Sequence, residues 1–184
     1  MLVSFIVKAQ PYGLQFMSEL NITDIQASGI LGNAGYLSNG AQPNFREDKT
    51  YGPAWPKGTL RRGYGWMQFE NKSDGTNTLD NFINYIQTNF GDDITKISAN
   101  DDHNYSFLLD ELVNGNKKNV LTALKTTSSL EEATTIFMQK YENPDQFSIN
   151  LSKRLNYAKQ ALSCINSASV PIRSVGKNLI ETSV

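Results

Sequence analysis

The sequence predicts a mainly α-helical domain, interrupted by a long irregular loop with a small extended element over residues 39–76. Three observations predict it. Apolar residues recur at helical spacing through most of the second half of the chain, a glycine-rich helical segment spans residues 24–36, and turn-forming pairs crowd residues 39–63. The 184 residues, 39% hydrophobic and 19% charged, suffice for one well-buried core and not for two full-sized domains. One domain over residues 1–166 and a C-terminal tail over 167–184 are expected.

In chain order, Leu14, Phe16, Met17 and Leu20 mark a first helix, and Asn21-Ile-Thr-Asp24 supplies a break and a cap for a second. That second helix carries Gly29, Gly32 and Gly35 among small residues, so it is intrinsically weak, held by packing, and thin enough for another backbone to come close. Asn39-Gly40, Gly52-Pro53, Pro56 and Lys57-Gly58 make the following stretch a long surface loop, a kind of segment that tends to be functional. Arg62 to Phe69 reads as a short strand or extended turn, because Gly63 and Gly65 resist helix and the aromatics suit a pleated surface. Asn71 to Thr76 is a turn.

Helical faces follow at Leu79/Phe82/Ile83/Ile86/Phe90, at Tyr105/Leu108/Leu109/Leu112 and at Val120/Leu121/Leu124. A further helix, capped by Ser129, carries Leu130, Ala133, Phe137 and Tyr141 and stops at Asn143-Pro144. The last runs from Ile149 to Ile165, before a serine-rich stretch with Pro171.

The net charge of −1, from 17 basic and 18 acidic residues without a long single-sign block, argues against a nucleic-acid surface or a polybasic membrane patch. No stretch approaches the length of a membrane span. The N-terminal apolar stretch has neither a basic region before it nor a small-residue cleavage site, so it is a poor signal peptide. Cys164 is the only cysteine, read as a buried free thiol. His103, the only histidine, sits at an expected helix start where capping explains it, and no paired His/Cys spacing supports zinc. We expect no cofactor and no metal.

Tyr64, Trp66 and Gln68, with Asn33 and Tyr36 at the helix end, form a set suited to hold a sugar: rings cover its C–H face and amides bond its hydroxyl and acetamido groups. Phe69 is better read as core. Among nearby carboxylates, Glu47 is the best placed, in the loop between the two glycine-rich motifs; Glu70, Asp48, Asp74 and Glu142 rank below it.

Taken together, Gly29-Ile-Leu-Gly-Asn-Ala-Gly-Tyr-Leu-Ser-Asn-Gly40 and Gly63-Tyr-Gly-Trp-Met-Gln68 resemble the active-site framework of the bacteriophage tail-lysozyme family. Asn104-Tyr-Ser-Phe-Leu-Leu-Asp-Glu-Leu112 and Ala133 to Pro144 are similar to two of its helical signatures. The resemblance implies a lysozyme-like helical fold and a muramidase acting on the β-1,4 bond between N-acetylmuramic acid and N-acetylglucosamine. It places the family's general-acid glutamate at Leu37, its second acid at Glu47 and its substrate-cleft residues at Ser38, Tyr64, Gly65 and Gln68. Leucine cannot move a proton, so the resemblance implies a disabled or impaired enzyme, whether a mutant or a pseudoenzyme. The alternatives are a non-catalytic peptidoglycan-binding or phage-tail structural module, and an enzyme whose acid has moved to Glu47 or Glu70. The partner expected is the peptidoglycan glycan strand, with a phage-tail, secretion-system or immunity protein as a further partner. The place of action is the cell wall or periplasm after delivery, or the virion.

Overall fold

A computed structural model describes residues 4–144 and 150–168. It is mainly helical: α1 (Phe5–Leu20), α2 (Asp24–Leu37), α3 (Thr78–Phe90), α4 (Asp101–Val113), α5 (Lys118–Leu124), α6 (Leu130–Phe137) and α7 (Leu151–Ala168), with a π-helical turn over Met138–Glu142. Residues 169–184, nearly all of the expected tail, lie outside the described residues, as does Ile149; Ser167 and Ala168 belong to α7.

α1 begins nine residues before the expected Leu14 because the buried face is Phe5, Ala9, Gly13, Phe16 and Leu20, with Leu14 itself exposed. Pro11 lies within the helix and costs it one backbone bond without ending it. Asn21, in the left-handed conformation, ends it.

The centre of the scaffold is α2. Thr23 and Gln26 form a reciprocal capping box at its start, and the helix is then buried from Gln26 to Gly35, flanked by α1, α6 and α7. Close approach is possible because α2 presents almost no side chain there. A Cβ added to Gly32 would sit 2.6 Å from the Cβ of Ala158 and 2.8 Å from the carbonyl oxygen of Arg154, both on α7. The absent side chain lets the two backbones touch, and packing compensates for a glycine-rich sequence that would not hold a helix alone.

Between α2 and α3 the chain forms a loop layer held by isolated bridges, Phe45 with Tyr51, Arg46 with Tyr64, Tyr64 with Phe69, Leu60 and Asn77 with Asn71. The segment expected as a strand or extended turn is a turn: Tyr64 and Phe69 exchange both backbone bonds at 3.1 and 2.9 Å, and Gly65 (φ 73°) and Gln68 (φ 51°) supply left-handed positions between them. Phe69 is core as expected, against Phe82 and Phe107. The helical half follows the predicted periodicity except at Phe90, the last residue of α3, which is 42% exposed. Ser129 and Glu132 form the capping box of α6, and left-handed Asn143, before Pro144, closes the π-helical turn. Cys164 is half-buried rather than buried.

Candidate functional site

Where α2 ends, a cleft of about 620 Å³ opens between the loop layer and the helices. Its loop wall carries Glu47, Gly63, Gln68, Glu70 and Lys72; its helical wall carries Leu37, Glu111, Lys117, Glu142 and Arg154. Leu37, the last residue of α2, is half-buried, packs against the core and presents only hydrocarbon to the cleft.

Opposite it, Glu47 is exposed and pinned at the rim: its backbone N–H donates to the Gly63 carbonyl at 3.0 Å, and its carboxylate accepts from the Gly63 N–H at 3.3 Å. Gln68 also lines the cleft. Its amide nitrogen donates to the carbonyls of Phe45 (3.2 Å) and Gly65 (3.0 Å), which fixes the side chain across the turn.

The other residues expected at the sugar lie behind the cleft, and each has a structural occupation. Tyr64 is fully buried; its hydroxyl donates to the Gly52 carbonyl at 2.9 Å and accepts from the Ala99 N–H at 3.0 Å, and burial pushes its pKa up to about 12. Trp66 is fully buried too, its indole donating to Asp101 at 3.1 Å and meeting Tyr12 edge-on at 5.0 Å. The left-handed turn at Gly65 directs both rings into the core, so no sugar face reaches them as they stand. Gly65 is buried, with no room for a Cβ beside Asn104. Ser38 is buried and donates to the Ala34 carbonyl at 2.8 Å, capping the end of α2. Tyr36 is half-buried, its ring 4.5 Å from the Arg154 guanidinium.

Asn33 is held inside the scaffold. It is fully buried, donates to the carbonyls of Gly29 (2.8 Å) and Thr134 (3.1 Å), and accepts from Arg154 at 2.6 Å. Arg154, on α7 and itself fully buried, also donates to the Glu142 carboxylate at 2.7 Å. Asn33 and Leu37 are four residues apart and share a face of α2, so this ion pair lies about one helical turn from the apolar residue in the cleft.

Glu111, Lys117 and Arg154 were not singled out from sequence, and Glu142 only as a minor candidate. Burial raises the Glu142 carboxyl to about 7, and Arg154 pulls it back only in part. Burial likewise raises Glu111, which accepts from the Tyr141 hydroxyl. The Lys117 ammonium donates to the Tyr141 carbonyl at 2.8 Å, and burial lowers its pKa. The only sequence signal for Glu142 was its place just before Asn143-Pro144; nothing local marked Arg154. His103 caps α4 as expected but is buried, with its Nε2 3.1 Å from Asp92. Among the described residues no cluster of metal-ligating side chains occurs, and no helix is long and apolar enough to cross a membrane.

A glycine-packed central helix that delivers its last residue to a cleft edged by carboxylates on both walls is the arrangement of a lysozyme-like helical domain. The chain belongs to the phage tail lysozyme family, whose model matches residues 8–165. Its kind is thereby that of a lysozyme-like glycoside hydrolase with peptidoglycan as substrate, acting at the cell wall or as part of a virion. Neither the curated proteins nor the solved structures contain a match to the chain.

Proposed function

We propose that this chain is a muramidase of the β-1,4 N-acetylmuramic acid to N-acetylglucosamine bond whose acid step is lost or strongly impaired at Leu37. The observation that carries this reading is the position of Leu37, last in α2 and open to the cleft, where a side chain could reach a glycosidic oxygen. A donor there would need a carboxyl kept protonated by an apolar pocket. Leucine supplies the pocket without the proton, and loss of general-acid catalysis typically costs about 10²–10⁴-fold in rate. Glu47 is the second carboxylate in this reading; exposed at the opposite rim, it suits a water-activating or charge-stabilising role better than proton donation.

A non-catalytic peptidoglycan-binding or phage-tail structural module is the second reading. It is favoured by a cleft that keeps polar groups on both walls around an apolar residue 37. One experiment separates these readings: clearing of purified peptidoglycan by the chain, by Leu37→Glu and by Glu47→Gln, with the released fragments weighed by mass spectrometry. Gain of clearing in Leu37→Glu of about 10²-fold or more, leaving muramic acid reducing ends, is the expected result. Clearing by the unaltered chain that disappears in Glu47→Gln would mean that the acid has moved. No clearing by any of the three, with retention on the insoluble wall, would give the second reading precedence.

A further inference from the structure

Among the described residues, Lys117 is a cleft cation that no carboxylate touches directly. It is half-buried ahead of α5, its ammonium donates once, to the neutral carbonyl of Tyr141, and it lies 5.2 Å from that ring. An ammonium has three hydrogens to place. Among the described residues no carboxylate oxygen lies within 4.0 Å of it. The Glu111 charge acts on it from beyond contact distance and offsets only part of the effect of burial, and the Glu111 carboxyl takes its hydrogen bond from the Tyr141 hydroxyl, not from the ammonium. Across the cleft stands Lys72, 41% exposed and only loosely paired with Glu70 at 3.4 Å, close enough for its charge to act on Lys117. Two cations facing one space, one of them partly desolvated, cost stability unless an anion enters between them.

We propose that Lys117 and Lys72 form a carboxylate-binding subsite that receives the acidic substituent on a muramyl residue. This rests on the peptidoglycan reading of the cleft. The glycan backbone is neutral; the carboxylates of its substrate hang from the muramyl lactyl ether, either as the lactyl group itself or on the peptide it carries. Lys117 makes a charge-assisted bond to that carboxylate from the helical wall, and Lys72 adds a solvent-screened attraction from the loop wall. The subsite sets which sugar of the alternating strand lies over this part of the cleft, and discriminates against uncharged chitin.

Calorimetric titration of the full chain with three soluble glycans tests this: muramyl-peptide strands, the same strands after an amidase has removed the peptides, and neutral chitotetraose. Lys117→Met, which keeps the aliphatic stem, should weaken binding of the acidic glycans about ten- to a hundredfold and leave chitotetraose unchanged. The exposed Lys72→Gln should weaken the same ligands severalfold, more at low salt. A Lys117 effect confined to peptide-bearing strands assigns the peptide carboxylate; one that persists after the amidase assigns the lactyl carboxylate. Unchanged affinity in both variants, or an equal loss on chitotetraose, overturns the subsite. If the unaltered chain binds none of the three, the peptidoglycan reading of the cleft falls with it.

Discussion

The two walls of the cleft are built by opposite means. The helical wall stands on α2, α6 and α7, where missing side chains allow backbone contact and a single buried cation, Arg154, ties α7 to Asn33 and to Glu142. The loop wall has no such packing: it is held by isolated bridges and by side-chain bonds such as those of Asn104, which crosses from α4 to Trp66 and Pro43. One wall is set by shape, with a few irreplaceable contacts, and the other by a distributed set of hydrogen bonds. The apolar residue 37 sits on the first and Glu47 on the second, so the separation between them depends on both.

The largest test of this contrast is Arg154→Met. Removing one partner of a buried ion pair leaves Glu142 without its cation in a site where its side chain is 8% exposed, and such losses run to about 3–5 kcal/mol. Urea denaturation at about pH 8, where Glu142 is ionised, should show a fall of that size. A loss below about 1 kcal/mol would mean that the helical wall rests on its apolar contacts alone, and that the buried pair serves the cleft instead of the fold.

The same wall should carry most of the pH dependence. The Glu142 carboxyl is raised from 4.5 to about 7 by burial, so between those values the folded protein holds a proton that the unfolded chain has released. Its contribution is fully present below about pH 4.5 and is lost as pH rises through about 7, a change on the order of 3 kcal/mol. Glu111 is shifted in the same direction, also by burial. Thermal unfolding across pH 4 to 8 should therefore show a descending slope, and Glu142→Gln should flatten much of it. A slope unchanged in the variant would assign the effect to Glu111 or elsewhere.

This division also explains what was legible in the sequence. Helices α3 to α6 declare themselves locally, through periodic apolar residues and, in α6, the Ser129/Glu132 box. The end of α2 and its Leu37 are legible as a motif. Arg154 is not: beside Lys153 on a polar stretch it reads as a solvated charge, and its burial depends on contacts outside its own helix, among them Asn33, 121 residues away, and Glu142. The inward turn of Tyr64 and Trp66 is hidden in the sequence for a related reason. Alternating aromatics suggest an open face, whereas the left-handed Gly65 folds them inward, and what satisfies their polar ends lies on distant segments at Gly52, Ala99 and Asp101.

The smallest expected effect belongs to the loop wall. Asn104 is fully buried; its side-chain oxygen accepts from the Trp66 N–H at 2.7 Å while its amide donates to the carbonyls of Pro43 (3.0 Å) and Asn100 (2.9 Å). Asn104→Ala leaves the Trp66 N–H and the Pro43 carbonyl without this partner, while the Asn100 carbonyl keeps its bond from the residue 104 backbone N–H, a cost of about 1–3 kcal/mol. If the walls are independent, amide hydrogen exchange should accelerate across residues 43–69 and stay near its original rate in α2 and α7. Equal acceleration in both would show that the loop layer and the helical scaffold open as one unit. The cleft would then depend on a single cooperative fold, and a change on either wall would be felt at residue 37.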